Sequence, residues 1–203
     1  MSKLVEFPVV EFWFEFASTY SYPAAMRAEA AAMAAGVTLA WKPFLLGPLF
    51  KTFGYESSPF LTHAQKGRYM WRDLERLCAR DGIAWKMPGA FPRTSVSAAR
   101  IGCSHADAAW LPAFVRAVYT ANFAEDRDIA DDAVIRDCLV RCGADAEAVF
   151  ALAFSEAEKP KLRQQAAAAQ ARGIFGAPSF VVGDELFWGG DRLADALAWA
   201  ARR

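Results

Sequence analysis

Four hydroxyl side chains stand in a row at Ser18-Thr19-Tyr20-Ser21, between an aromatic run and an alanine-rich one. Serine or threonine at such a boundary caps a helix by accepting from its first unpaired N–H groups. Those N–H groups, with the positive end of the helix dipole, also bind anions. On this segment both readings stand: capping by Ser18 or Ser21, or an anion site. The thiols offer less. Cys78, Cys103, Cys138 and Cys142 include no Cys-x-x-Cys. Cys138 and Cys142, four apart in "DDAVIRDCLVRCG", share a helical face. They read as a redox pair or half a metal site, or more plainly as two small core residues. His63 and His105 have no companion at metal-ligand spacing, so no metal is expected.

The elements around these residues follow from pattern. "VVEFWFEF" (Val9 to Phe16) alternates large apolar residues, with acids at its two ends, and predicts a strand buried on at least one face. "YPAAMRAEAAAMAAG" predicts a helix with Gly36 as its C-cap, and "VTLAWKPF" (Val37 to Phe44) a second strand. A βαβ opening demands a parallel pair. Helical spacing then dominates, first over Leu61 to Asp81 and next in "AWLPAFVRAVYTANF", "DDAVIRDCLVRC" and "KLRQQAAAAQAR". Asp131 and Asp132 suit a helix start. "SEAE" from Ser155 has the form of a capping box, while Pro160 argues for a later start or a kink. "SFVVG" and "ELFWG" flank the hairpin turn Gly183-Asp184, and a helix from about Arg192 closes the chain.

Composition bounds the function. The 203 residues are 55% hydrophobic, with 23 basic and 23 acidic side chains. A sizeable core is expected, and the balanced charge argues against a nucleic-acid partner. Lys3 and Glu6 in the first residues argue against a signal peptide, and no apolar run reaches membrane-spanning length. The expectation is a soluble, cytoplasmic protein with no membrane partner.

The order βαβ, helical block, ββα is the plan of an α/β thioredoxin-like fold with a large all-helical insertion. Residues 1–46 and 173–203 form the thioredoxin-like part and 47–172 the insertion. Where redox proteins of this plan carry Cys-x-x-Cys, this chain carries Ser18 to Ser21, so it cannot exchange disulfides there. A thiolate supplied by a ligand could instead rest on the helix start, with a serine hydroxyl donating to it. Ala177-Pro178 falls where the plan places a cis-proline facing that helix start. The backbone of Ala177 could there pair with a peptide-like ligand, the plainer alternative being a loop proline before an edge strand.

"FWFEFASTYSY", "WKPFLLGPLFKTFG", "KGRYMWRDLERLC", "FPRTS" and "GIFGAPSFVVGDELFWGGDRL", in that order, span nearly the whole chain. Together they resemble the 2-hydroxychromene-2-carboxylate isomerases and kappa-class glutathione transferases of the DsbA-like branch. The resemblance implies glutathione as cofactor, with Ser18 activating its thiol. It implies that Ala177, before a cis Pro178, pairs with the cysteinyl part, and that the loop Trp188, Gly189, Gly190 and Asp191 holds the γ-glutamyl end. An aspartate there suits an ammonium, and also a helix cap. Thr19 replaces the usual proline. Tyr55 and Thr94 stand where relatives often carry asparagine and border the ligand, so a shifted substrate preference is expected. Lys51 is a candidate partner for a substrate carboxylate, with a solvated surface lysine as the alternative. The implied activity is glutathione-dependent cis–trans isomerisation of a 2-hydroxychromene-2-carboxylate-like aromatic carboxylate, in a homodimer. The alternatives are a conjugating glutathione transferase and a non-catalytic glutathione- or peptide-binding module.

Overall fold

The computed structural model describes residues 8–202. The reading of Lys3 and Glu6 therefore lies outside the described residues.

Strand β1 (Val9–Phe14) leads through a turn into α1 (Ser21–Ala35), and β2 (Thr38–Pro43) returns parallel to β1. The helical block follows as α2 (Leu46–Thr52), α3 (Pro59–Thr62), α4 (Ala64–Arg80), α5 (Val96–Ser104), α6 (Leu111–Phe123), α7 (Asp132–Arg141), α8 (Ala146–Ala153) and α9 (Lys159–Ala171). The chain closes with β3 (Ser179–Val182), β4 (Glu185–Trp188), a 3₁₀ turn at Gly190–Arg192 and α10 (Leu193–Ala200). The sheet order is β2-β1-β3-β4, with β3 antiparallel to both its neighbours. This is the expected α/β fold, a thioredoxin-like sheet carrying a helical insertion.

Alternation along β1 divides the interior in two. Phe12, Phe14 and Phe16 point into the larger core, where Phe12 stacks on Phe180 at 5.0 Å and meets Trp41 edge-on. Trp13 points the other way, with Phe44, Leu49, Ile174 and Val181. Helix α1 lies close over the larger core because Ala24, Ala25, Ala28 and Ala32 have no bulk to hold it off. Gly36 ends it in the left-handed region at φ 66°, as a C-cap glycine does. The same apolar cluster runs on into Leu74, Phe114, Val115, Ile135 and Phe150 of the helical block.

Two boundaries differ from expectation. The helix over Leu61 to Asp81 is two, broken at His63, so that α3 folds back and brings the Phe60 carbonyl onto Gly67. A Cβ at position 67 would lie 2.4 Å from that oxygen. Ser155 caps nothing: α9 begins at Lys159 with Pro160 in its first turn, where a missing N–H costs no hydrogen bond. Among the described residues no helix is long and apolar enough to cross a membrane, and no group of His, Cys, Asp and Glu could hold a metal.

Candidate active site

Ser18 sits in the turn between β1 and α1, half-buried. Its Oγ donates to the Ala177 carbonyl at 3.2 Å and accepts from the Ser21 N–H at 3.3 Å. The serine therefore does both things its position allowed: it satisfies one N–H of α1 and reaches across to the opposite loop. The N-cap position itself is Tyr20, which makes no side-chain cap. The Ala177–Pro178 bond is cis, as expected. Among the described residues no hydrogen-bond partner meets the Ala177 N–H. A free donor and a carbonyl held by a movable hydroxyl thus stand beside the start of α1.

A cavity of about 1180 Å³ opens over this junction. Ser18, Lys51, Tyr55, Thr94, Ala177 and Trp188 all line it. The other predicted residues, Pro178, Gly189, Gly190 and Asp191, line a second cavity, of about 1320 Å³, which shares Tyr20, Ala177 and Trp188 with the first. The predicted residues thus fall on two sides of one wall. Trp188 forms that wall, its ring 4.8 Å from Phe175 and its Nε1 so close to Gly176 that a side chain there would have to displace the indole. Gly189 adopts φ 115°, and its N–H donates to the Pro178 carbonyl at 3.0 Å, fastening the loop to the cis-proline turn. Asp191 is exposed and pairs with Arg192 at 3.4 Å.

Lys51 projects from α2 and is exposed at the cavity, as are Tyr55 and Thr94. Sequence reasoning missed Lys66, a second exposed cation on the lining, and the aromatic side chains of Phe50, Phe53, Phe60 and Tyr69 that give the cavity its apolar walls. It also missed Glu15, whose buried carboxyl lines the cavity and accepts from Ser95 Oγ and the Leu46 N–H. Burial, opposed by those hydrogen bonds, raises its pKa above the ordinary carboxylate value. The only sign of it in the sequence is parity: Glu15 lies an even number of residues from Trp13, on the face turned toward α2. "FPRTS" holds a further unforeseen feature, a cis Phe91–Pro92 bond just before Arg93. The Arg93 guanidinium is bound to Asp126, Asn122 and the Arg127 carbonyl.

The cysteines take the plainer reading. Cys138 is buried and Cys142 half-buried, both are unoxidised, and burial pushes the Cys138 thiol up to about 11. A thiol so shifted is no nucleophile near neutrality.

Residues 9–198 match the family model of the DSBA-like thioredoxin domain. The 2-hydroxychromene-2-carboxylate isomerase of Sphingobium xenophagum is 29% identical over 184 residues, covering 91% of this chain and 93% of that protein. The Pseudomonas putida enzyme of the same name is 30% identical over 188 residues, 91% of this chain and 90% of that one. A solved 2-hydroxychromene-2-carboxylate isomerase superposes with a TM-score of 0.84 at 27% identity, over 96% of this chain and 95% of its own. Sequence and fold agree: the chain belongs to the DSBA-like thioredoxin domain family and, within it, to the 2-hydroxychromene-2-carboxylate isomerases.

Proposed function

We propose that this isomerase works with glutathione on a bicyclic or open aromatic oxo-carboxylate of the 2-hydroxychromene-2-carboxylate kind. The observation that carries the reading is the meeting of three groups at one end of the cavity over Ser18: the Ser18 hydroxyl, the start of α1, and the backbone of Ala177 in its cis turn. The free Ala177 N–H fits a peptide-like ligand laid as a short extra strand. The start of α1 fits the ligand's sulfur as an anion. Bound there, glutathione supplies a thiolate that adds reversibly to a conjugated double bond, so that rotation can occur before it leaves.

The chain's own residues hold the parts. Ser18 turns its proton from the Ala177 carbonyl to the sulfur and lowers the thiol pKa, together with the helix dipole. Pro178 and the Gly189–Asp191 loop on the far side of Trp188 receive the γ-glutamyl end. Lys51, with Lys66, attracts the substrate carboxylate at the mouth, while Phe50, Phe60 and Tyr69 exclude water from its ring. Tyr55 and Thr94 set the shape of the acceptor end.

A thermal-shift titration with glutathione, followed by ultraviolet monitoring of 2-hydroxychromene-2-carboxylate, tests this. Stabilisation at millimolar glutathione and glutathione-dependent conversion are expected, with glutathione recovered unchanged. No stabilisation refutes the reading. Consumption of glutathione in step with an electrophile makes the protein a conjugating transferase instead.

A further inference from the structure

Glu15 contributes nothing to the steps above, yet it is the most enclosed charged side chain at the site. Its carboxyl is buried at the edge of the cavity over Ser18, and no cation stands beside it. One oxygen accepts from the Leu46 N–H at 2.9 Å, the first residue of α2. The other is bound to Ser95 Oγ, the residue before α5, and lies 3.4 Å from the Ala17 N–H. The Glu15 carbonyl meanwhile accepts from the Ser18 N–H at 2.9 Å and the Tyr119 hydroxyl at 2.8 Å. Each partner of the carboxyl borders a segment that reaches the cavity. Leu46 begins the helix that carries Lys51, Ser95 follows Thr94, and Ala17 precedes Ser18.

We propose that Glu15 is a positioning residue of this site, one side chain that fixes the turn of Ser18, the helix of Lys51 and the strap of Thr94 relative to each other around the substrate. The inference rests on the reading of the cavity as the isomerase site. The two walls tied through Ser95 and Leu46 are those of the aromatic carboxylate. On the glutathione side, Ala177, Pro178 and Gly189 to Asp191 make no bond to the carboxyl, and the turn of Ser18 is reached only by the long 3.4 Å contact to the Ala17 N–H. Removing the side chain therefore has an uneven effect, which a general loss of stability lacks. An amide at this position can replace the acid: its oxygen accepts from Leu46 and its NH₂ donates to Ser95 Oγ.

Glu15→Ala and Glu15→Gln are to be compared with the wild type in steady-state kinetics, with each substrate varied in turn, at a temperature where all are folded. In Glu15→Ala the KM for the aromatic carboxylate should rise about tenfold, the scale of one orphaned buried hydrogen bond, and kcat should fall. The KM for glutathione should stay within about twofold, and Glu15→Gln should restore most of the loss. Equal changes in both KM values, a lower melting temperature with unchanged kinetics, or a Gln variant no better than Ala would overturn the proposal. Should Glu15→Ala not fold, Ser95→Ala removes one tie only and should give a smaller rise in the same KM; no rise there counts against it. If the wild type converts no aromatic carboxylate, the functional reading fails by itself. Hydrogen exchange then decides the positioning role: the Leu46 amide should exchange faster in Glu15→Ala and near the wild-type rate in Glu15→Gln, with the Phe12 amide unaltered. An unaltered Leu46 amide refutes it.

Discussion

The Ser18 hydroxyl has one proton to give, and in the free protein Ala177 receives it. On the proposed glutathione mechanism, Ser18→Ala would leave the α1 dipole in place and remove a hydrogen bond to a charged sulfur, worth roughly 1.5–3 kcal/mol. The pKa of enzyme-bound glutathione should rise by about one to two units, and turnover near neutral pH should slow about ten- to a hundredfold. Glutathione affinity should hardly change, and the deficit should shrink at alkaline pH. Ultraviolet titration of the bound thiolate checks this, and equal values in the two proteins would remove Ser18 from the role. Glu15 gives a second test, with opposite sign to the usual carboxylate. Burial raises its folded pKa above the ordinary value of 4.5, so the fold loses stability as pH climbs from there through the folded value. Glu15→Gln has no such loss. Its melting temperature should exceed that of wild type by a margin that widens between acid and neutral pH; a constant margin would show that the carboxyl titrates normally.

At the scale of elements, the loops that make the site are braced from behind. A Cβ at Gly176 would lie 2.6 Å from Trp188 Nε1, and the indole is 54% exposed, so it can swing outward. Gly176→Ala should therefore weaken glutathione binding while moving the melting temperature by less than about 3 °C, as a calorimetric titration beside a melt can show. The strap containing the cis Phe91–Pro92 bond is clamped by Asp126, which accepts from the Gly89 N–H at 2.8 Å and pairs with Arg93. The Gly89 N–H first, and then Arg93, hold the Asp126 carboxyl down at about 2. That contribution is present above the ordinary value of 3.8 and is lost as pH falls toward 2. Asp126 has φ 57°, which asparagine tolerates, so Asp126→Asn should melt lower than wild type at pH 7 and alike near pH 2. Strands, α1 and the hairpin were legible because their signals are local: alternation in "VVEFWFEF", Gly36, Gly183-Asp184. The clamp was not, since Arg93 and Asp126 lie far apart in the chain and meet through a backbone bend that no propensity announces. Glu15 was passed over for a related reason. A glutamate at a strand end reads as solvated until the helix that covers it is placed.

For the whole molecule, the sheet and the helical block share one apolar cluster, from Val10 and Phe12 to Phe114, Ile135 and Phe150. Such a core should unfold as a unit. Far-ultraviolet dichroism and tryptophan fluorescence should give the same urea midpoint, because Trp13 and Trp41 report on the sheet and Trp71, Trp85 and Trp110 on the block between β2 and β3. Two midpoints would show that the block is a separate folding unit. The division of β1 into a phenylalanine face and a face bearing Glu11 and Trp13 also sets a rule for descent and design. The loop at 53–58, which carries none of the ties to Glu15 or Asp126, can lengthen or shorten and reshape what the enzyme accepts. A single residue gained or lost within Val9–Phe14 exchanges the two faces and drives a carboxyl into the phenylalanine stack. New substrates are therefore reached by changing that loop and not this strand, whose length is the one number a lineage of these enzymes must keep.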